Sequence, residues 1–214
     1  MMTLLSPPPA PTGTSRLRAR FGTARGLIRL ALSYAQAAGL PRAVRHPDPR
    51  SVRRLVFVCH GNICRSAFAE AAARTIGLDA ASFGLSTYGG GPAYPPAVAA
   101  AARLGIDLGT HRTTRAEDFA LRPGDLLLAM ELRQLIRLAG DGRLAAAPRT
   151  LLGLWAAPPM PHLHDPFGLD EAYMLTCLER IERAVKRLKA AFPATALCEA
   201  PNADPPRTGP DRTD

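Results

Sequence analysis

Leu55-Val56-Phe57-Val58-Cys59-His60-Gly61-Asn62-Ile63-Cys64-Arg65-Ser66 is the stretch from which the fold can be read. Leu55 to Val58 form an apolar run of the kind that makes a buried strand. Ala67-Phe68-Ala69-Glu70-Ala71-Ala72-Ala73-Arg74 follow and are rich in helix formers. Cys59 to Ser66 therefore sit where a strand ends and a helix begins, the edge at which open α/β sheets bind ligands. A helix start presents backbone N–H groups with no intrahelical partner, together with the positive end of the dipole. His60, Gly61, Asn62, Ile63, Cys64 and Ser66 thus supply a cradle for a phosphate-like anion. Gly61 lets the chain curl, and Asn62 is among the few non-glycine residues that tolerate a left-handed backbone. Arg65 adds a planar fork able to grip two phosphate oxygens. Cys59, at the mouth of the loop, feels the same field, which favours the nucleophilic thiolate. A buried cysteine or a solvated arginine explains one residue at a time and leaves the joint composition of the loop unexplained. Zinc is disfavoured because Cys59 and Cys64 lack two further closely placed ligands.

Working outward, strands alternate with helices. Val52 to Val58 reads as the first strand and Ser66 to Ile76 as the first helix. A second strand follows at Ala81 to Thr87, and a helix from Pro95 to Leu104 is stopped by Gly105. Asp125 to Met130 is a third strand, Glu131 to Leu138 a short helix, and Arg149 to Leu154 a fourth strand. A proline-bearing loop, Trp155 to Phe167, leads to a last helix from Asp170 to Ala191, with Leu175, Leu178, Ile181, Val185 and Leu188 on one face. The expected class is α/β: an open parallel four-stranded sheet with helices on both faces and a phosphate-binding loop after the first strand.

The 214 residues suffice for one domain, expected at 51–192, with two appendages. Residues 1–50 hold eight arginines against one acid, and 193–214 hold two basic and four acidic residues, so the net +9 resides mainly in the N-terminal arm. Residues 1–20, with Ser6-Pro7-Pro8-Pro9-Ala10-Pro11, and residues 193–214 read as disordered. One arm helix is expected from Gly22 to Ala38, its apolar residues Leu27, Ile28, Ala31, Leu32 and Ala35 recurring at helical spacing, before a linker from Pro41 to Pro49. Two fates suit that helix equally: docking on the domain, or peripheral contact with an anionic membrane surface. Nucleic acid is not expected as a partner, because the arm carries no recognition motif and few aromatics. Its Leu27 to Leu40 stretch contains Arg29 and Gln36 and makes neither a membrane span nor a signal peptide. A reactive Cys59 needs a reducing compartment, so the expected location is cytoplasmic.

Val58 to Ser66 resembles the signature loop of the low-molecular-weight protein-tyrosine-phosphatase family, and the similarity spans roughly residues 53–190. Ala67 stands where relatives often carry proline. The resemblance implies a bacterial-type phosphatase acting on phosphotyrosine-bearing proteins, without metal or cofactor, through a phosphocysteine on Cys59 with Arg65 holding the phosphoryl group. Asp-Pro alone marks a turn. In His164-Asp165-Pro166-Phe167, just ahead of the final helix, the resemblance makes Asp165 the general acid and then the general base. Ser82 and His111 are implied to hydrogen-bond Asn62 and hold the loop open, with Ser66 assisting. Ile63, Tyr88 and Phe167 are implied as pocket walls. Asp125 to Glu131 is similar to a family strand ending in Met-Asp, with glutamate substituted.

Three other activities follow less directly. Arsenate reduction on this fold needs relay cysteines, and Cys177 and Cys198 lie in a helix and a tail. Phosphoarginine hydrolysis is disfavoured by Ile63, since members with that activity tend to carry threonine there. A non-catalytic phospho-binding or membrane-recruited adaptor would be favoured had Cys59 or Asp165 been missing. Cys64 has two readings, as a partner that captures oxidised Cys59 in a disulfide or as a small buried residue facing the helix.

Overall fold

The computed structural model describes residues 13–197. Two arm helices, α1 (Gly13–Phe21) and α2 (Ala24–Ala38), and one helical turn, α3 (Arg42–Arg45), precede the sheet. The remainder runs β1 (Arg54–Cys59), α4 (Arg65–Thr75), β2 (Ala80–Gly84), α5 (Pro95–Arg103), β3 (Asp125–Ala129), α6 (Leu132–Gly140), β4 (Arg149–Leu151) and α7 (Glu171–Ala191). All strand pairs are parallel, in the order β2-β1-β3-β4.

Period-two alternation along the central strands decides which core each side chain joins. Leu55, Phe57 and Cys59 of β1, with Leu126, Leu128 and Met130 at β3, enter the core that holds Phe68, Ala97, Leu178 and Ile181 of the α4, α5 and α7 helices. Val56 and Val58, with Leu127 and Ala129, enter the other core, against Leu135 and Leu138 of α6 and Leu151 of β4. Both faces are covered, so β1 reads as a continuous apolar run rather than an alternating one. Phe57, Phe68 and Leu128 are wholly buried, each worth about 1.5–3 kcal/mol relative to exposure. The helices on the first face are alanine-rich: Ala69, Ala72 and Ala73 of α4 and Ala97, Ala100 and Ala101 of α5 are buried. At the opposite end of the sheet from the loop, the register partners Arg54 and Asp125 form a buried bidentate pair, 2.7 Å at both bonds.

The open parallel sheet expected from the sequence is present, with several boundaries displaced. The second strand begins at Ala80 and ends at Gly84 rather than running on to Thr87. A Cβ at Gly84 would lie 2.8 Å from the Thr87 side chain and 3.0 Å from the His60 carbonyl, because the chain crosses directly under the phosphate-type loop there. The fourth strand stops at Leu151, and Leu152–Trp155 winds into a 3-10 turn. Gly153 sets that turn: a Cβ there would fall 1.8 Å from the Met160 carbonyl oxygen, and its own carbonyl accepts from Met160 N at 2.8 Å.

The appendages differ more. The arm expected to hold one helix after a disordered start has a helix already from Gly13 to Phe21, broken from the next at Gly22, where φ is +72°. Thr23 caps α2 by accepting from Gly26 N at 3.0 Å. The α2 helix is docked, and by a face other than the leucine-rich one. Gly26, Leu30, Ser33 and Ala37 are buried, while Leu27, Ile28 and Leu32 remain 41–59% exposed. The expected linker includes α3, with Leu40 and Val44 packed against the second core. Residues expected to begin a disordered tail are ordered as far as 197: Ala196 bridges Leu78, and Leu197 N donates to Gly77 O. The disorder expected of residues 1–12 and 198–214, and Cys198 itself, lie outside the described residues. Among the described residues, no helix is long and apolar enough to cross a membrane.

Candidate active site

The loop between β1 and α4 is shaped by Asn62. Its φ of +54° is the only positive value among non-glycine residues described, so the left-handed step falls on Asn62, whereas Gly61 takes no positive φ. A Cβ at Gly61 would meet only Ile63, at 3.4 Å. Asn62 is wholly buried and satisfied on every side. Its Nδ2 donates to Ser66 Oγ at 2.9 Å and Ser82 Oγ at 2.7 Å, and its Oδ1 accepts from Thr114 N at 2.8 Å. Its carbonyl oxygen lies 2.8 Å from His111 Nε2, which therefore carries the proton.

This network has a direction. Ser82 Oγ accepts from Asn62 and donates its own O–H to a Glu70 carboxylate oxygen. Ser66 Oγ likewise accepts from Asn62, and it lies 2.9 Å from Cys59 Sγ, to which its hydroxyl can donate when the sulfur is ionised. Asn62 N donates to the same sulfur at 3.2 Å. A backbone N–H and a hydroxyl thus converge on the Cys59 sulfur. Cys64, the residue before α4, is buried, and burial pushes its thiol up.

Arg65 enters this cradle from the first turn of α4 with its side chain 1% exposed. Nη1 donates to Glu131 Oε1 and to the Leu163 carbonyl, both at 2.7 Å, and Nη2 pairs with Asp165 Oδ2 at 2.7 Å. Burial opposes the guanidinium charge, but the Asp165 and Glu131 carboxylates outweigh it and hold it firmly protonated. Nε is buried and has no hydrogen-bond partner among the described residues. Glu131 experiences the reverse balance: burial raises its pKa, while Arg65 and Arg133 bring it down to about 2. His162, 3.9 Å from Glu131, is pushed down to about 4 by burial and is neutral.

Asp165 is half-buried and faces the same cleft as Cys59 and Phe167. The cleft they share measures about 820 Å³. Ile63 and Phe167 line it. So does Tyr88, although Tyr88 is 93% exposed and forms a rim rather than a wall. Every predicted site residue therefore lies in the loop, behind it or around this cleft. Three contributors escaped the sequence reading. Glu131 and the Leu163 carbonyl orient Arg65, and Tyr94 backs Phe167 with ring centroids 4.8 Å apart while donating N–H to Ile63 O.

Residues 54–197 match the model of a family described as low molecular weight phosphotyrosine protein phosphatase. The chain is 37% identical over 81 residues to "Probable low molecular weight protein-tyrosine-phosphatase EpsP" of Ralstonia solanacearum, covering 37% of this chain and 56% of that protein. It thus spans little more than half the length of that relative. It is 31% identical over 132 residues to the low molecular weight protein-tyrosine-phosphatase Ptp of Acinetobacter johnsonii, over 59% of this chain and 93% of the other. The crystal structure of the Erwinia amylovora tyrosine phosphatase amsI shares the fold, with a TM-score of 0.58 at 24% identity over 66% of this chain and 93% of that one. The match to residues 54–197 takes in the phosphate-type loop, the strands around it and Asp165, and the chain belongs to the low molecular weight phosphotyrosine protein phosphatase family.

Proposed function

We propose that the chain hydrolyses aryl phosphate monoesters, phosphotyrosine in proteins foremost, through a phosphocysteine on Cys59. The observation that carries this reading is the Arg65 guanidinium. Its two Nη groups are committed to Glu131, Leu163 and Asp165, while the buried Nε has no partner among the described residues and suits a phosphoryl oxygen. In the first step the Cys59 sulfur attacks phosphorus, the P–O bond to the phenol breaks, and Asp165 delivers a proton to the departing oxygen. In the second, Asp165 takes a proton from water, the water oxygen bonds to phosphorus, and the P–S bond breaks to return the thiolate and release inorganic phosphate. Arg65 and the N–H groups at the start of α4 stabilise the equatorial oxygens throughout. A cysteine nucleophile of this kind belongs in a reducing compartment, which fits the cytoplasm.

Steady-state turnover of a phosphotyrosine peptide, phosphoarginine and arsenate tests the assignment. The aryl ester should exceed phosphoarginine in kcat/KM by about 100-fold or more, because Ile63 and Phe167 fit a phenyl ring. Arsenate reduction should be negligible, since Cys177 is buried in α7 and its thiol is raised by burial. A preference for phosphoarginine, or arsenate reduction coupled to a thiol, would overturn it.

The arm supports a peripheral contact with an anionic membrane. Leu27, Ile28 and Leu32 stay exposed on α2 beside the exposed Arg25 and Arg29. Each basic residue near such a surface contributes about 1 kcal/mol. The full chain should co-sediment with phosphatidylserine vesicles at low salt and release at about 0.5 M salt, where charges are screened within a few ångströms. Replacing Leu27, Ile28 and Leu32 together by serine should weaken binding. Absence of binding at low salt would refute the contact.

A further inference from the structure

We infer that the N-terminal arm takes part in the reaction as a positioning element, with Thr23, Gly22 and Gly26 fixing His164 and, through it, the neighbouring Asp165. The inference rests on Asp165 being the general acid.

The loop that carries Asp165 is irregular and proline-rich, so its position depends on what grips it from outside. On the sheet side Leu163 N donates to Met130 O at 3.0 Å, and the Leu163 carbonyl accepts from Arg65. The His164 carbonyl takes only long bonds, from Tyr173 OH at 3.3 Å and Cys177 Sγ at 3.7 Å. The His164 ring turns the other way, into the arm. Its Nε2 lies 3.1 Å from Thr23 Oγ1. That hydroxyl accepts from Gly26 N as the cap of α2 and keeps its own proton free to donate to a neutral imidazole. His164 Nε2 is then the acceptor and the ring is neutral, in keeping with the downward push that burial exerts on it.

Two glycines make room for this ring. A Cβ on Gly26 would lie 2.7 Å from His164 Cδ2 and 2.8 Å from Cγ, and equally 2.7 Å from the Phe21 carbonyl oxygen, so Thr23 is the more selective probe of the ring. A Cβ on Gly22 would lie 2.9 Å from His164 Cδ2, and also 2.9 Å from Leu169 and Tyr173 side-chain carbons. The ring is thus held between the start of α2 and Tyr173 of α7. One peptide unit, about 3.8 Å from Cα to Cα, separates this grip from the acid. Proton transfer demands a heavy-atom approach of about 2.6–3.2 Å, so a small shift of His164 changes how Asp165 meets the leaving oxygen. None of the arm residues involved falls within the matched family region, which begins at 54. The brace on this loop thus comes from residues outside the matched region.

The test uses the full chain and kcat/KM, which reports the steps through loss of the phenol. Two substrates differ in the need for a proton: phenyl phosphate, with a basic leaving group, and 2,4-dinitrophenyl phosphate, whose leaving anion is stable. Thr23→Val keeps the shape and removes the hydroxyl, and Gly26→Ala pushes a methyl against the imidazole. Each should lower kcat/KM for phenyl phosphate by about 5- to 30-fold, a partial misplacement on a scale where 1 Å costs about 100-fold. Dinitrophenyl phosphate should change less than about 3-fold, and Thr23→Ser should restore the phenyl rate. In an Asp165→Asn background, Thr23→Val should have no further selective effect. Should Gly26→Ala fail to fold, Thr23→Val and Thr23→Ser carry the comparison alone. Equal losses on both substrates, or a phenyl-selective loss that persists without Asp165, would overturn the inference while leaving Asp165 as the acid. Equal losses from Asp165→Asn by itself would instead remove the acid assignment and this inference with it.

Discussion

Cys59→Ser is expected to lower turnover of an aryl phosphate by about 10⁴-fold or more, the scale on which loss of a covalent nucleophile acts. The substitution leaves the cradle almost untouched. The loop is held by Asn62 through Ser66, Ser82, Thr114 and His111, and none of these bonds involves the Cys59 side chain. Arg65 keeps Glu131, the Leu163 carbonyl and Asp165. What changes is the reacting atom. The neighbours of Sγ are a hydroxyl and a backbone N–H, which donate to an anion but do not accept a proton from a serine. A free thiol is already a few per cent thiolate at about pH 7 and the thiolate is strongly nucleophilic, whereas a serine hydroxyl needs an adjacent base to become a nucleophile. Binding of phosphate or vanadate, measured by calorimetry on the Cys59→Ser protein, should stay within a few-fold of the parent where the parent binds it without a bond to sulfur. Full turnover in that variant would remove the covalent mechanism. Loss of binding along with turnover would make Cys59 a shaper of the loop rather than its nucleophile.

The contrast between this loop and the arm explains how far the sequence could be read. Strand, loop and helix from Leu55 to Arg74 are contiguous, so apolar run, turn chemistry and helix formers report on one local object. Asn62 was legible for the same reason: its left-handed φ is a property of its own backbone. Glu131 was not. The resemblance marks it at the end of β3 without giving it a role, and that role appears only when folding brings it to Arg65 across a separation of 66 residues. The arm misled in a more instructive way. Hydropathy spacing selected Leu27, Ile28, Ala31, Leu32 and Ala35 as the face of α2, yet the docked face is Gly26, Leu30, Ser33 and Ala37. Close approach to the His164 ring selects the smallest residue, not the most apolar. Periodicity scores leucine highly and glycine not at all, so a contact built on absent side chains is invisible to it. Tyr88 shows another limit: it lines the cleft, but resemblance supplies a position and not the exposure of the side chain that occupies it.

Asp165→Asn is expected to separate binding from chemistry. Asp165 Oδ2 is bonded to Arg65 Nη2 at 2.7 Å, with the carboxylate one-third exposed. A phosphoryl group entering the cradle competes for that guanidinium, and Asp165 must exchange its ion pair for a contact with the leaving oxygen. Asparagine removes a negative charge from the path of a dianion, so phosphate should bind as well as before or a few-fold more tightly. It also removes the carboxyl that is bonded to Arg65 in this cleft: among the described residues the other carboxyl lining it is the exposed Glu117, and Glu131 is buried. An amide has no proton to surrender. Loss of general acid catalysis typically costs about 10²–10⁴-fold, and the loss should scale with leaving-group basicity. Phenyl phosphate should therefore fall by about 10²–10³-fold in kcat/KM, and 2,4-dinitrophenyl phosphate by less than about 10-fold. Glu131 cannot substitute for it: the carboxyl is held at about 2 by Arg65 and Arg133 and carries no proton at neutral pH. A plot of log kcat/KM against leaving-group pKa should be steeper for the variant than for the parent. Parallel plots would mean that the proton comes from elsewhere and that Asp165 serves only to hold Arg65 in place.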